Sequence, residues 1–186
     1  MRPAWPLVLL GFVLVDDALT RAIDPGYAVL GLLDEPAHLA TGALVTTAVA
    51  TVLGGLPRAT WVAALISTVL IDLDHLPDAL GSDVLTAGTP RPYTHALTTV
   101  VVLALVAVGT RGRTTSTIFA GCVIGVSAHL LRDVGTAPVA LWWPISDVGV
   151  SMPYVAYTAA LVVAVAVIMA AGGRRPYVRR PPARVS

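Results

Sequence analysis

The feature that most constrains this chain is a succession of apolar runs separated by short polar segments. The runs cover residues 5–15, 39–56, 60–71, 96–108, 118–131 and 154–171. A hydrocarbon layer of roughly 30 Å needs about 20 apolar residues in one helix, a length that the second and sixth runs approach. The mean hydropathy of +0.79, with only 12% charged residues, is far too apolar for a soluble domain. We therefore predict an all-α polytopic membrane bundle of about six transmembrane helices.

Proline residues between the runs support these boundaries. Pro36, Pro77, Pro92, Pro144 and Pro153 all fall between runs, where we expect helices to stop. We predict one transmembrane domain over residues 1–171, followed by a disordered basic cytoplasmic tail over residues 172–186. A cleaved signal peptide is the alternative for the first run, but no small-residue cleavage site follows it.

The distribution of arginine predicts the orientation of the bundle. The chain has twelve arginines and no lysine, and in the six-helix arrangement only Arg21, Arg91 and Arg132 lie opposite the other nine. Because short cytoplasmic loops carry the excess of basic residues, both termini are predicted in the cytoplasm of a cell (inner or plasma) membrane protein. The same arrangement places all eleven acidic residues and all four histidines at or near the extracytoplasmic face.

These polar residues fall at the ends of four runs. His38 is predicted to open the second helix, Asp72, Asp74 and His75 to close the third, His95 to open the fourth, and His129 and Asp133 to close the fifth. His129 and Asp133 are four residues apart, and Asp72 and His75 are three apart, so each pair shares a helical face. Each of these pairs can bind one metal ion.

Imidazole and carboxylate together are the ligands of catalytic zinc, manganese or iron sites, and facing helices can hold two ions. We predict metal ligation by His38, Asp72, His75, His95, His129 and Asp133, with two divalent ions, zinc first among the candidates. For His75 the alternatives are to orient a metal ligand or to carry a proton. Ionisable groups near hydrocarbon are costly unless paired, which favours this interpretation over isolated polar contacts.

Several polar residues have simpler interpretations. Asp16 and Asp17 either line the site or end the first helix, and we favour the helix end. Asp34 and Glu35 are expected to complement a helix dipole. Arg132 lies between ligands in sequence, but successive helical residues point about 100° apart, so we expect it to face lipid headgroups. Trp142 and Trp143 fit an aromatic belt at the interface, and they are also placed to border a lipid substrate.

The order of these motifs resembles one known family. His38-x3-Gly42, Asp72-x-Asp74-His75, Arg91 with Thr94-His95, His129-x3-Asp133 and Trp143-Pro144 together resemble the inner-membrane metal-dependent hydrolases, a family with a LexA-regulated member. That family is similar, distantly, to the zinc-dependent phospholipase C and single-strand nuclease superfamily.

The resemblance implies specific metal ligands. His38 would hold one ion, Asp72, His95 and His129 the other, and Asp133 would bridge them. The chain departs from the pattern at Ile71, where a proline is expected, and at Ala96, where a serine is expected. In addition, nothing matches the superfamily's third zinc site.

The predicted activity is hydrolysis of a phosphoester of a lipid or lipid-linked substrate by metal-activated water. Asp74 would orient that water or take its proton, and Arg91 would bind a phosphate oxygen. A phosphatidic-acid-type phosphatase is set aside because its chemistry uses a lysine. A transporter or a non-catalytic metal-binding protein remains the alternative, and the near-neutral net charge of +1 does not indicate a nucleic-acid partner.

Overall fold

The structure is a computed structural model that describes residues 3–23 and 27–173, with only the backbone described for residues 27–32. It is all-α, as predicted. Its helices are α1 (Trp5–Ile23), α2 (Tyr27–Leu53), α3 (Arg58–Leu70), a 3-10 turn (Ile71–His75), α4 (Leu76–Ala79), α5 (Leu97–Gly109), α6 (Thr114–Thr136) and α7 (Tyr154–Gly172). The predicted basic tail lies outside the described residues from position 174 onward.

Six of these helices correspond to the six apolar runs, and four segments are long and apolar enough to cross a membrane. These segments are Leu33–Leu53, Arg58–Ala79, Thr114–Thr136 and Tyr154–Gly172. The α5 helix is apolar but shorter, and α1 has 19 residues that include three charged side chains, Asp16, Asp17 and Arg21. The structure thus supports four candidate spans, and the orientation of the bundle stays a prediction.

The prediction that Pro36 lies between helices is wrong, because Pro36 lies inside α2. His38 therefore belongs to the interior of that helix rather than to its start. A proline in a membrane helix removes one backbone hydrogen bond, a loss that neighbouring helices and local adjustments can offset. Pro77 is also within a helix, in the first turn of α4, where its missing N–H is tolerated.

Helix α6 lies at the centre of the bundle and packs against α2, α3, α5 and α7. Its closest neighbour is α3, and two glycines four residues apart make this approach possible. A Cβ atom at Gly121 would lie 2.4 Å from the carbonyl oxygen of Thr60, and one at Gly125 would lie 2.1 Å from that of Ala64. Small residues at this spacing are typical of closely packed membrane helices.

The glycine face of α6 leads directly to the predicted ligands. Residues 121, 125, 129 and 133 recur every four positions, so the face that packs on α3 ends with His129 and Asp133. Gly42 has the same function on α2, because a Cβ there would lie 2.6 Å from the hydroxyl of Thr68. His38 is one turn away from Gly42, so the close packing of α2 on α3 brings its imidazole towards the same place.

Candidate metal centre

All eight predicted site residues lie at one end of the bundle. The 3-10 turn after α3 carries Asp72, Asp74 and His75, the segment before α5 carries Arg91 and His95, α2 carries His38, and α6 carries His129 and Asp133. Three groups of possible metal ligands occur among the described residues: Asp72, Asp74, His75 and His95; His38, His129 and Asp133; and Asp16, Asp17 and Asp34.

Four of these side chains converge on one point, and we call them the central quartet: Asp72, His95, His129 and Asp133. The Nε2 atoms of His95 and His129 lie 3.1 Å apart. Asp72 Oδ1 lies 3.0 Å from the first of these nitrogens and 3.3 Å from the second. Asp133 Oδ2 lies 3.5 Å from His95 Nε2 and 3.2 Å from His129 Nε2.

These separations fit a tetrahedral metal site. With bonds of about 2.0–2.1 Å from the metal to nitrogen or oxygen, neighbouring ligand atoms of a tetrahedron lie about 3.3 Å apart. The measured separations run from 3.0 to 3.5 Å. The donor set of two imidazoles and two carboxylates is also one that zinc accepts.

Polar contacts behind the two imidazoles orient them towards the centre. His129 Nδ1 lies 2.7 Å from the backbone carbonyl of Thr68, which can only accept, so Nδ1 donates this hydrogen bond and Nε2 is directed at the centre. His95 Nδ1 lies 3.3 Å from Asp74 Oδ2. A carboxylate or carbonyl behind a metal-binding histidine is the usual arrangement that fixes its tautomer.

The environment of His95 favours a cation. Burial lowers the pKa of this imidazole, but the hydrogen bonds to Asp72 and Asp74 outweigh burial, and its pKa is raised above its ordinary value. The side chain is itself completely shielded from solvent. The surrounding carboxylates therefore stabilise positive charge at this position, which a proton or a metal ion can supply.

The two oxygens of Asp133 face different groups. Oδ2 points to the two Nε2 atoms of the quartet, whereas Oδ1 lies 3.6 Å from His38 Nε2 and 3.3 Å from a terminal nitrogen of Arg91. Both oxygens are fully buried and accept no hydrogen bond within the described part of the chain. A carboxylate so placed fits the bridging position between an ion in the quartet and a second ion at His38.

His75 lies at the edge of this centre. Its Nε2 atom is 3.5 Å from Asp72 Oδ1, and its ring meets that of His95 edge-on with centroids 5.0 Å apart. It therefore contacts the quartet through Asp72, and it shares a group of possible metal ligands with Asp72, Asp74 and His95. Its predicted role as a ligand stays a prediction, as does the predicted exchange of a proton by Asp74.

One comparison with known proteins identifies the family of this chain. A family model described as YdjM inner membrane protein matches residues 33–183. The chain belongs to the YdjM inner membrane protein family. Searches of curated proteins and of solved structures find no match. The resemblance to the membrane-bound metal-dependent hydrolases is thereby confirmed at the level of the family, and the YdjM match places the chain among inner membrane proteins.

The expected position of Arg132 at the lipid interface is wrong. In this YdjM family member the Arg132 side chain is almost completely buried, pairs with Asp34, and places Nη1 2.6 Å from Asp17 Oδ1. The predicted 100° offset from its neighbours is real, but α1 and α2 cover that face of α6 as well. Asp16, Asp17 and Asp34 thus surround a guanidinium, which already supplies their cation.

The assignments of Asp17 and Asp34 to helix ends are also wrong. Asp17 lies within α1, is 3% exposed, and accepts a hydrogen bond of 2.6 Å from the hydroxyl of Tyr154. Asp34 lies within α2 with its Oδ2 atom 3.0 Å from His38 Nε2. The YdjM match begins at residue 33 and so includes Asp34 but not α1.

Two residues of the site were missed from sequence. Asp34 precedes His38 by four positions, the same spacing as His129 and Asp133, and this spacing was a usable signal. The carbonyl of Thr68, which orients His129, carried no such signal because any residue type presents a backbone carbonyl.

Proposed function

We propose that this protein is a membrane-embedded metal-dependent hydrolase that cleaves a phosphoester of a membrane substrate. The observation that carries the proposal is the approach of the Nε2 atoms of His95 and His129 to 3.1 Å, between the carboxylates of Asp72 and Asp133. Two imidazole nitrogens are stable at that distance only with a proton or a metal ion between them. Four convergent donors favour the metal.

Within this proposal the quartet would hold one divalent ion, and His38, Asp133 and the neighbouring Asp34 would hold a second. The ions would lower the pKa of a bound water and neutralise the charge that develops on the phosphoryl group. Zinc fits the donor set best, and manganese or iron also accepts it.

The side chains of the protein have separate tasks in the reaction. Asp74 lies 3.3 Å from His95 Nδ1, and the carbonyl of Thr68 accepts a hydrogen bond from His129 Nδ1, so both Nε2 atoms are directed at the centre. Arg91, 20% exposed at its side chain, lies 3.3 Å from Asp133 Oδ1 and can donate two hydrogen bonds to a phosphate oxygen pair. The predicted role of Asp74 in accepting a proton from water is compatible with this position.

We further propose that the site faces the extracytoplasmic side and that both termini are cytoplasmic. The nine-to-three division of the arginines supports this orientation. A cysteine introduced by Asp83→Cys in a Cys122→Ser background tests it, because residue 83 is exposed in the loop that follows α4. Labelling of intact cells by a membrane-impermeant maleimide is expected, and labelling only after lysis would contradict the orientation.

The decisive experiment is elemental analysis of the purified protein together with a hydrolysis screen. Wild type is expected to carry up to two divalent ions and to cleave a phosphoester, and His95→Ala and Asp133→Ala to lose both properties. Asp78→Asn, a change at an exposed carboxylate, is the matched control and should retain them. If wild type binds metal, the two variants lose it, and wild type cleaves no phosphoester, the result would favour a non-catalytic metal-binding protein. Ion flux through the protein in liposomes would favour a transporter.

A further inference from the structure

A long groove lies between α3 and α5, and we call it the α3–α5 groove. Both helices pack on α6, but they make little contact with each other, so α6 forms the floor of the groove. The cavity has a volume of about 720 Å³ and a wall that is almost entirely apolar, with Val62, Ile66, Leu103 and Ile118 among its residues. This volume is within the range of roughly 300–1,000 Å³ that small-molecule sites occupy.

One end of the groove is part of the candidate metal centre. Asp74 and Thr94 line it there, and Asp74 is in contact with the quartet through His95. The hydroxyl of Thr94 is buried and has no hydrogen-bond partner among the described residues. An apolar groove that ends at polar groups of this kind is complementary to a molecule with a polar head and a hydrocarbon chain.

The length of the groove matches one acyl chain. Its wall on α3 runs from Ala59 to Leu70, twelve residues that occupy about 18 Å of helix. A single leaflet contributes about half of the roughly 30 Å hydrocarbon core, so a lipid chain spans about 15 Å. The groove is therefore long enough to hold a lipid chain whose head lies at the metal centre and whose methyl end lies near the middle of the membrane.

We propose that the α3–α5 groove binds one hydrocarbon chain of the substrate and that the substrate is a lipid phosphoester whose head reaches Asp74 and Thr94. That the head group is a phosphoester rests on the proposed function, whereas the binding of a hydrocarbon chain rests on the groove itself. Lipid surrounds every outer face of a membrane helix, but this groove ends at residues of the candidate metal centre, whereas the cavity between α2 and α7 does not reach it. Binding the chain there would hold the scissile bond next to the ligands and so contribute orientation rather than hydrophobic transfer.

The only cysteine of the chain is a natural reporter of this groove. Cys122 lines it and is partly buried. We would measure alkylation of Cys122 by N-ethylmaleimide in the full-length, metal-loaded protein, purified in a steroid-type detergent that has no alkyl chain. The two probes are 1-palmitoyl lysophosphatidic acid and glycerol 3-phosphate, which share a head group and differ in the chain.

Lysophosphatidic acid is expected to slow alkylation of Cys122 at least fivefold, and glycerol 3-phosphate is expected to leave it unchanged. The matched control carries Cys122→Ser and Leu105→Cys, because Leu105 is 65% exposed on α5 and does not line the groove. Its alkylation should not respond to either probe. Leu103→Trp, which fills the groove, should remove the protection by lysophosphatidic acid, and Leu105→Trp should retain it.

The outcomes separate this inference from the proposed function. Equal alkylation with and without lysophosphatidic acid, in a protein that hydrolyses a soluble phosphoester, would overturn the groove as a chain site and leave the hydrolase. Protection of Cys122 in a protein that hydrolyses no phosphoester would support the chain site and contradict the hydrolase. The first measurement uses the wild-type chain, so it does not depend on the folding of any variant.

Discussion

The guanidinium of Arg132 on α6 lies 2.6 Å from the carboxylate of Asp17 on α1, and both side chains are almost completely buried. The same guanidinium pairs with Asp34 on α2, whose other oxygen contacts His38. The candidate metal centre is thus supported from behind by a buried ion-pair network that joins three helices.

Arg132→Met is expected to lower the free energy of unfolding by about 3–5 kcal/mol, because it leaves two buried carboxylates without their cation. Denaturant unfolding of the purified protein in detergent measures this change. Arg111→Met is the control: Arg111 is exposed, and its replacement should alter stability by less than about 0.5 kcal/mol. Equal stability of the two variants would show that the network does not support the fold.

Gly125→Ala should destabilise the protein by about 1–3 kcal/mol and weaken metal binding. The added Cβ would lie 2.1 Å from the carbonyl of Ala64 and 2.2 Å from the hydroxyl of Ser67, which forces α3 and α6 apart. That movement displaces Thr68 from His129. Gly11→Ala is the matched control, since nothing lies within 4 Å of its Cβ position. Thermal unfolding and metal content of both variants provide the comparison, and unchanged behaviour of Gly125→Ala would exclude tight packing at this contact.

Asp34→Asn is expected to lower the affinity for the ion at His38 by about 10–100-fold and to leave the affinity for the ion in the quartet unchanged. Asp34 Oδ2 lies 3.0 Å from His38 Nε2, the nitrogen that would bind this ion, so the change removes a negative charge from beside the ion itself. The loss of a neighbouring carboxylate at a metal site has an effect of this order. Titration with zinc, followed by elemental analysis at limiting metal, should show a fall from two ions towards one. Because Asp34 also pairs with Arg132, unfolding must be measured in parallel. Retention of both ions at wild-type affinity would contradict this role.

Arg91→Gln should lower kcat for a phosphoester by about 10²–10³-fold, because removing one donor to developing charge has this effect in other active sites. Metal content should stay close to that of wild type, since Arg91 contributes no ligand. Arg91→Lys is expected to be intermediate, because an ammonium group cannot bind two oxygens in a fixed fork. Steady-state kinetics of the three proteins, with elemental analysis, test the assignment. A fall in metal content as large as the fall in kcat would instead show that Arg91 maintains the structure of the metal site.

Chain pattern alone was enough to predict the helical class and the side chains that come together at one end of the bundle. Hydrocarbon leaves backbone groups no partner except each other, so a run of apolar residues must become a helix. The four-residue spacing of His129 and Asp133 likewise places them on one face whatever surrounds them. The prediction failed at Pro36, because a proline ends a helix in water more strictly than in a bundle whose neighbours offset the lost bond.

What the sequence by itself determined is therefore local: which segments are helical, and which side chains share a face. Only the tertiary structure decided which faces are interior, and Arg132 is the clearest case, since its burial depends on α1 and α2 covering α6. The same holds for the 3.1 Å approach of His95 and His129, whose positions are 34 residues apart. Helical periodicity sets directions around one axis, whereas distances between helices depend on packing at residues such as Gly42, Gly121 and Gly125.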